Sequence, residues 1–201
     1  MPKRFVFLFI VAVAVCGCSK NSGAVSSRSA PAQAPAASSQ APRNAPGELR
    51  SKVPDGWTTE KPTSDMRFAQ YKLPKAEGDD QDALLVVYYF GPGQGGSAQA
   101  NIDRWVEQMK QPDGSSSKDK AKTGTMTVNG LQVTTVDLLG NYSGGMSADS
   151  APADKKAIYR LRGAIVETPK GSYFIKLTGP EKTVGHWDQA YTAYLNSLEF
   201  N

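Results

Sequence analysis

The sequence predicts an α+β domain: an antiparallel β-sheet with two main helices packed on it, in the order β-β-β-α-β-β-β-β-α. Three observations predict it. Two turn signals, Asn129-Gly130 and Pro169-Lys170-Gly171, each separate strand-like runs, and an Asn-Gly pair is the strongest short-range mark of a hairpin. Leu84-Leu85-Val86-Val87-Tyr88-Tyr89-Phe90 runs without a polar break, as in a strand covered on both faces or central to its sheet. Two stretches repeat apolar residues at helical spacing: Ile102, Trp105, Val106 and Met109, then Val184, Trp187, Tyr191, Tyr194 and Leu198. Hairpins with few helices, rather than alternating strand and helix, define the α+β class.

Val53-Pro54-Asp55-Gly56-Trp57 is a turn opening onto the first strand, and residues 66–73 form the second. A charged loop over 74–81 leads to the third strand, 82–90. Ser97 is the expected N-cap of the first helix, and Pro112-Asp113-Gly114 is expected to end it. A polar loop follows to about residue 121. Residues 123–128 and 131–139 make the first hairpin. Residues 141–155 are a long loop of glycine, serine, alanine and aspartate. Residues 157–166 and 172–177 make the second hairpin. Thr178-Gly179-Pro180-Glu181 has the spacing of a capping box with proline near the first turn, so the last helix is expected to start there. There is no internal repeat.

Pro54-Asp55-Gly56-Trp57 ahead of the first strands, a helix after the third strand, and Tyr173-Phe174-Ile175-Lys176-Leu177 leading to a helix that ends Asn196-Ser197-Leu198-Glu199-Phe200 resemble the PsbP-like fold. That group includes an extrinsic photosystem II subunit and bacterial lipoproteins of unknown role. The resemblance covers about residues 48–201. It implies a central antiparallel sheet between helices and a non-enzymatic binding or assembly role, with no catalytic motif and no cofactor.

The N-terminus is a leader. Lys3 and Arg4 precede an uncharged apolar run over residues 5–15, which suits a signal peptide and falls short of the about 20 residues needed to span a bilayer. The run ends in Val15-Cys16-Gly17-Cys18, which resembles the bacterial lipobox. A cut before Cys18 leaves residues 1–17 as leader and Cys18 as a lipidated N-terminus. Ala12-Val13-Ala14 also fits ordinary signal peptidase and would give a soluble secreted protein. That cut leaves Cys16 and Cys18 bare, one residue apart and poorly placed to bridge; the lipobox cut accounts for both. Two or three acyl chains such as palmitate, at about 0.8 kcal/mol per buried methylene, anchor a chain stably where one is marginal. The lipoprotein resemblance implies the cell envelope. In a Gram-negative host, Ser19 rather than aspartate after the cysteine implies the outer membrane.

Residues 18–47 are the expected tether. The stretch is rich in Ser, Ala and Pro, has no aromatic residue, and cannot bury enough apolar area to offset its ordering entropy. As a flexible chain it reaches about 30 Å. The single domain then occupies residues 48–201. Of 23 basic and 19 acidic side chains, the leader takes Lys3 and Arg4, so the mature chain is close to neutral. This gives no reason to expect nucleic acid as a partner. With no cysteine beyond Cys18, the domain must hold through its core, and a domain of this size buries roughly 70% of its unfolded surface.

Few motifs carry chemistry. Gly91-Pro92-Gly93-Gln94-Gly95-Gly96 spells G-x-G-x-x-G between a strand and a helix. A hairpin follows where a parallel crossover should, so a flexible connection is expected and no nucleotide. Glu77, Asp79, Asp80 and Asp82 lack the spacing of a calcium loop and read as a solvated acidic loop. His186 is the single histidine; no partner for a zinc site or triad can be named. Trp57, Trp105 and Trp187 read as core. Loop 141–155 is left by elimination as the interaction segment, with Asn141, Tyr142, Met146 and Asp149 as contacts. The expectation is a membrane-anchored lipoprotein with a non-catalytic domain that binds an envelope protein or component, needing no metal and no cofactor. A small-ligand carrier and a hydrolase with a site hidden from sequence are the alternatives.

Overall fold

The computed structural model describes residues 47–143 and 158–201. The leader, most of the tether, Met146 and Asp149 lie outside the described residues. The described elements are β1 (Leu49–Arg50), β2 (Thr58–Glu60), β3 (Arg67–Leu73), β4 (Ala83–Tyr89), α1 (Ala98–Glu107), β5 (Met109–Lys110), α2 (Ser117–Lys120), β6 (Lys122–Val128), β7 (Leu131–Tyr142), β8 (Tyr159–Thr168), β9 (Gly171–Pro180), α3 (Glu181–His186), α4 (Asp188–Asn196) and β10 (Glu199–Phe200). The α+β class and the order of the long elements are as the sequence predicts.

The main sheet has eight strands in the order β2-β3-β4-β9-β8-β7, with β6 along the first part of β7 and β5 along its end. Every pairing among them is antiparallel. The apolar run lies in β4, between β3 and β9, and Leu85, Val86 and Val87 are all buried there. Asn129 and Gly130 both take positive φ, 48° and 81°, the two-residue turn whose twist matches the strands. β1 and β10 join the two ends of the domain, with Leu49 opposite Phe200.

Period-2 alternation separates two cores. One face carries Leu85, Val133, Tyr173, Ile175 and Leu177 against Val184, Tyr191 and Tyr194 of α3 and α4. The other carries Val136, Leu161, Ile165 and Phe174 against Ile102, Trp105 and Val106 of α1. Each large side chain so buried contributes about 2 kcal/mol. The sheet therefore lies between helices.

Three boundaries differ from expectation, each for a tertiary reason. The first helix starts as expected, with the Ser97 hydroxyl accepting from the Ala100 N–H at 3.2 Å, but stops at Glu107. Met109 and Lys110 leave it to pair with Tyr142 and Asn141. That pairing also makes Asn141 and Tyr142 the last two residues of β7 rather than loop. The last helix is two, α3 and α4, separated by Trp187 at φ −94°, ψ 9°. Its capping box does not form. Thr178 is bound in β9 between Leu84 and Leu161, and Pro180 caps α3 without a side-chain bond. Asp79 replaces it from another loop: its Oδ2 accepts from the Thr183 N–H at 2.8 Å and from the Thr183 hydroxyl at 2.6 Å.

Candidate functional site

Lys176 stands in the middle of β9, opposite Val86 on one side and Gly163 on the other. Its neighbours Ile175 and Leu177 point to the α3–α4 core, so alternation sends Lys176 to the α1 side. It is 8% exposed. Its Nζ donates to Gln108 Oε1 at 2.6 Å and to the Tyr142 hydroxyl at 3.0 Å. It also lies 5.3 Å from the centre of the Tyr142 ring. Both hydrogen-bond partners are neutral. Burying an ammonium among neutral partners costs stability, so this position departs from what packing alone selects.

The lysine opens into a groove of about 210 Å³ between α1 and strands β4 and β9. α1 supplies Asn101, Arg104 and Trp105, and its C-cap Gln108, at the i, i+3, i+4 and i+7 spacing of one helix face. The strand side supplies three rings. Tyr88 and Phe90 are parallel within 3°, centroids 6.2 Å apart, and Phe90 is tilted by 58° on Phe174 at 5.6 Å. Burial pushes the Tyr88 phenol up, with the Arg67 charge opposing and Tyr142 reinforcing, so the ring is neutral at ordinary pH. None of the lining residues is acidic.

The glycine-rich segment packs behind two of these rings. Gly95 sits at φ +90°, and a Cβ there would fall 2.5 Å from Phe174 and 2.8 Å from Phe90. Only a residue without a side chain, free to adopt positive φ, lets the backbone press on both rings. Asn101 fixes the segment: its Nδ2 donates to the Gly95 carbonyl at 2.8 Å and the Ser97 carbonyl at 2.9 Å, and its Oδ1 accepts from Arg104 at 3.0 Å. The adjoining strands are antiparallel, so the segment does not open a parallel crossover of the dinucleotide-binding kind.

Other polar clusters are closed on themselves. On the opposite face Arg160 forks onto Asp137 at 2.8 and 2.5 Å and reaches Asp188 at 2.9 Å; Arg162 bonds Asp188 at 2.7 Å. The bond to Asp137, despite burial, pushes the Arg160 guanidinium further up. Two cations and two anions balance there, tying α4 to β7 and β8. A wider depression of about 640 Å³ beside α1 and α2 holds Asp103, Glu107, Lys110 and Lys118, a mixture of signs with no buried charge aimed into it. His186 packs edge-on against Trp187 at 4.9 Å. Trp57 is buried against Tyr71 and Tyr194, Trp105 is buried under α1, and Trp187 donates to the Pro74 carbonyl at 2.8 Å. In the acidic loop, Asp79 caps α3 and Asp82 accepts from the Lys75 N–H at 2.8 Å.

No known protein family matches the sequence, and no curated protein does. Solved structures do match. The chain is similar to LpqN of Mycobacterium tuberculosis, described as involved in cell envelope biogenesis. The TM-score is 0.53 at 10% identity, over 79% of this chain and 87% of that one. It is also similar to PA94 of Pseudomonas aeruginosa, a protein of unknown function, with a TM-score of 0.46 at 13% identity, over 72% of this chain and 96% of that one. At these identities the likeness is one of fold.

Of the residues read from sequence as contacts, the structure places Asn141 opposite Lys110 in β5 and Tyr142 in the α1-side core, stacked on Tyr159 at 5.9 Å. Tyr142 thus meets the groove through Lys176. Sequence reasoning missed Lys176, Arg104 and Gln108. Two signals pointed to them: one lysine inside an apolar strand, and a polar stripe at helical spacing that shares Trp105 with the apolar one.

Proposed function

We propose that this protein is a lipid-anchored component of a bacterial cell envelope whose domain binds without catalysing. The observation that carries the reading is Val15-Cys16-Gly17-Cys18 at the end of an uncharged run of eleven residues, 5–15. A tether and one domain follow it. The fold it shares with LpqN, a protein involved in cell envelope biogenesis, supports the same address. Among the described residues no helix is long and apolar enough to cross a membrane. The anchoring proposed here is covalent and rests on Cys18.

The second reading, a small-ligand carrier, gains from one observation: the space under α1 brings a buried cation and three aromatic rings to one open-mouthed groove. The binding role is therefore assigned to that groove rather than to residues 141–155.

Detergent phase partition and N-terminal mass spectrometry of the chain expressed in a bacterial host test the address. The wild type is expected in the detergent phase with a diacylated or triacylated Cys18, and Cys18→Ala in the aqueous phase. A wild-type chain that begins at Val15 with bare thiols would refute the anchor.

A further inference from the structure

We infer that the groove between α1 and strands β4 and β9 is a site for a small carboxylate carrying one aromatic ring. This rests on reading the domain as a binding module. Two cations line the groove, Lys176 and Arg104, and the hydrogen-bond partners of both are neutral amides or a phenol. An ammonium has three N–H donors; Lys176 spends two, on Gln108 and Tyr142. Arg104 spends one of its five, on Asn101. Fixed positive charge in a partly dry setting with no lining carboxylate attracts an anion far more strongly than in water.

The shape selects among anions. The guanidinium fork of Arg104 matches the two oxygens of a carboxylate, with Lys176 as a second positive charge in the same groove. Parallel Tyr88 and Phe90, with tilted Phe174, offer faces and edges for one more ring at the usual 4.5–7 Å between centroids. The volume of about 210 Å³ lies below the roughly 300–1,000 Å³ of sites for drug-sized ligands. One ring with its headgroup fills it, and a nucleotide does not. Phe90, 38% exposed, stands at the mouth and leaves a way in.

The test titrates the full-length protein in nonionic micelles with benzoate, benzamide, acetate and inorganic phosphate by ligand-observed NMR. Benzoate is expected to saturate, with benzamide, acetate and phosphate each at least about tenfold weaker, because each lacks the charge, the ring or both the ring and the planar headgroup. Lys176→Met and Arg104→Gln are each expected to weaken benzoate by about tenfold and to leave benzamide within about twofold, a split that a general loss of structure does not produce. Arg104 lies at the rim of the helix, so its variant tests the charge where Lys176→Met disturbs packing. Benzoate that does not saturate by about 10 mM, benzamide or phosphate that matches it, or folded variants that bind like the wild type would each overturn the assignment. Failure of benzoate on a lipidated chain sinks the ligand and leaves the anchor standing; benzoate binding by a chain that partitions into water does the reverse.

Discussion

Gly163→Ala tests how tightly α1 is seated, and with it the geometry of the groove. Gly163 lies in β8 directly opposite Lys176, on the face that α1 covers. A Cβ added there would fall 2.4 Å from Trp105 Cζ3, 2.6 Å from Cε3 and 2.9 Å from Val136 Cγ1. Carbon atoms rest at about 3.5–4.0 Å, so the indole must retreat by roughly 1 Å or more. The backbone of Gly163 is outside the left-handed region, and alanine fits it. The cost is therefore steric. Overpacking a filled core costs about 1–3 kcal/mol. Removing a glycine from a strand returns about 0.5–1 kcal/mol, leaving a net loss between about 0 and 2.5 kcal/mol, centred near 1 kcal/mol. Urea unfolding followed by circular dichroism is expected to show a lower midpoint with an unchanged slope. Trp105→Leu alone is expected to cost about 2–3 kcal/mol. Because it removes the clashing ring, Gly163→Ala in that background is expected to cost little, a coupling of about 1 kcal/mol or more. Additive losses, or a wild-type midpoint for Gly163→Ala, would refute the contact as the seat of α1.

The Tyr191 hydroxyl is buried with no hydrogen-bond partner among the described residues, so Tyr191→Phe is expected to be neutral or to stabilise by up to about 1 kcal/mol; a loss above 1 kcal/mol in thermal unfolding would contradict this. Burial raises the phenols of Tyr191 and Tyr194 above their ordinary 10. Unfolded tyrosines ionise first, so the stability these phenols confer is full below about pH 10 and declines above it, at up to about 1.4 kcal/mol per pH unit for each. Melting curves from pH 9 to 11 should show this fall, and Tyr191→Phe should make it shallower. Asp79→Ala removes the cap of α3 and leaves a buried Thr183 N–H and hydroxyl to find other partners; the expected loss is about 1–2 kcal/mol, with Asp79→Asn recovering part of it.

What the chain disclosed of its fold follows the range of each signal. The hairpins and the buried β4 were legible because turn residues and apolar runs act locally: Asn129 and Gly130 dictate their own turn wherever the strands lie. The two-residue strands were not. Leu49 gains strand geometry only by meeting Phe200 at the other end of the domain, and Met109 only by meeting Tyr142. Local logic even misled at Thr178-Gly179-Pro180-Glu181. The capping spacing was present, but the ladder of β9 holds Thr178 between two strands, and Asp79 reaches in from a loop 104 residues away. A lone aspartate in an acidic loop carries no mark of that task.

The groove was half legible, and the half that was missed is a conflict between levels. Tyr173-Phe174-Ile175-Lys176-Leu177 has the pattern of a strand buried on both faces in every position but one. A local choice that opposes the global pattern is where function or strain is expected, and this conflict lies in the sequence itself. It could not be read further, because a lysine at a strand position faces solvent or a helix depending on what covers that face. Here α1 covers it: Gln108 at the end of the helix bonds the lysine, Asn101 and Arg104 line the same groove, and the apolar stripe beside them seals the core. The glycine-rich run carried the opposite error. Its spelling matched a phosphate loop, yet Gly95 is required by the pressure of two aromatic rings on the backbone. The same six residues would have suited a nucleotide had β4 been followed by a parallel partner. Strand direction, which no single motif encodes, turns that loop into a backing for two rings of an aromatic groove.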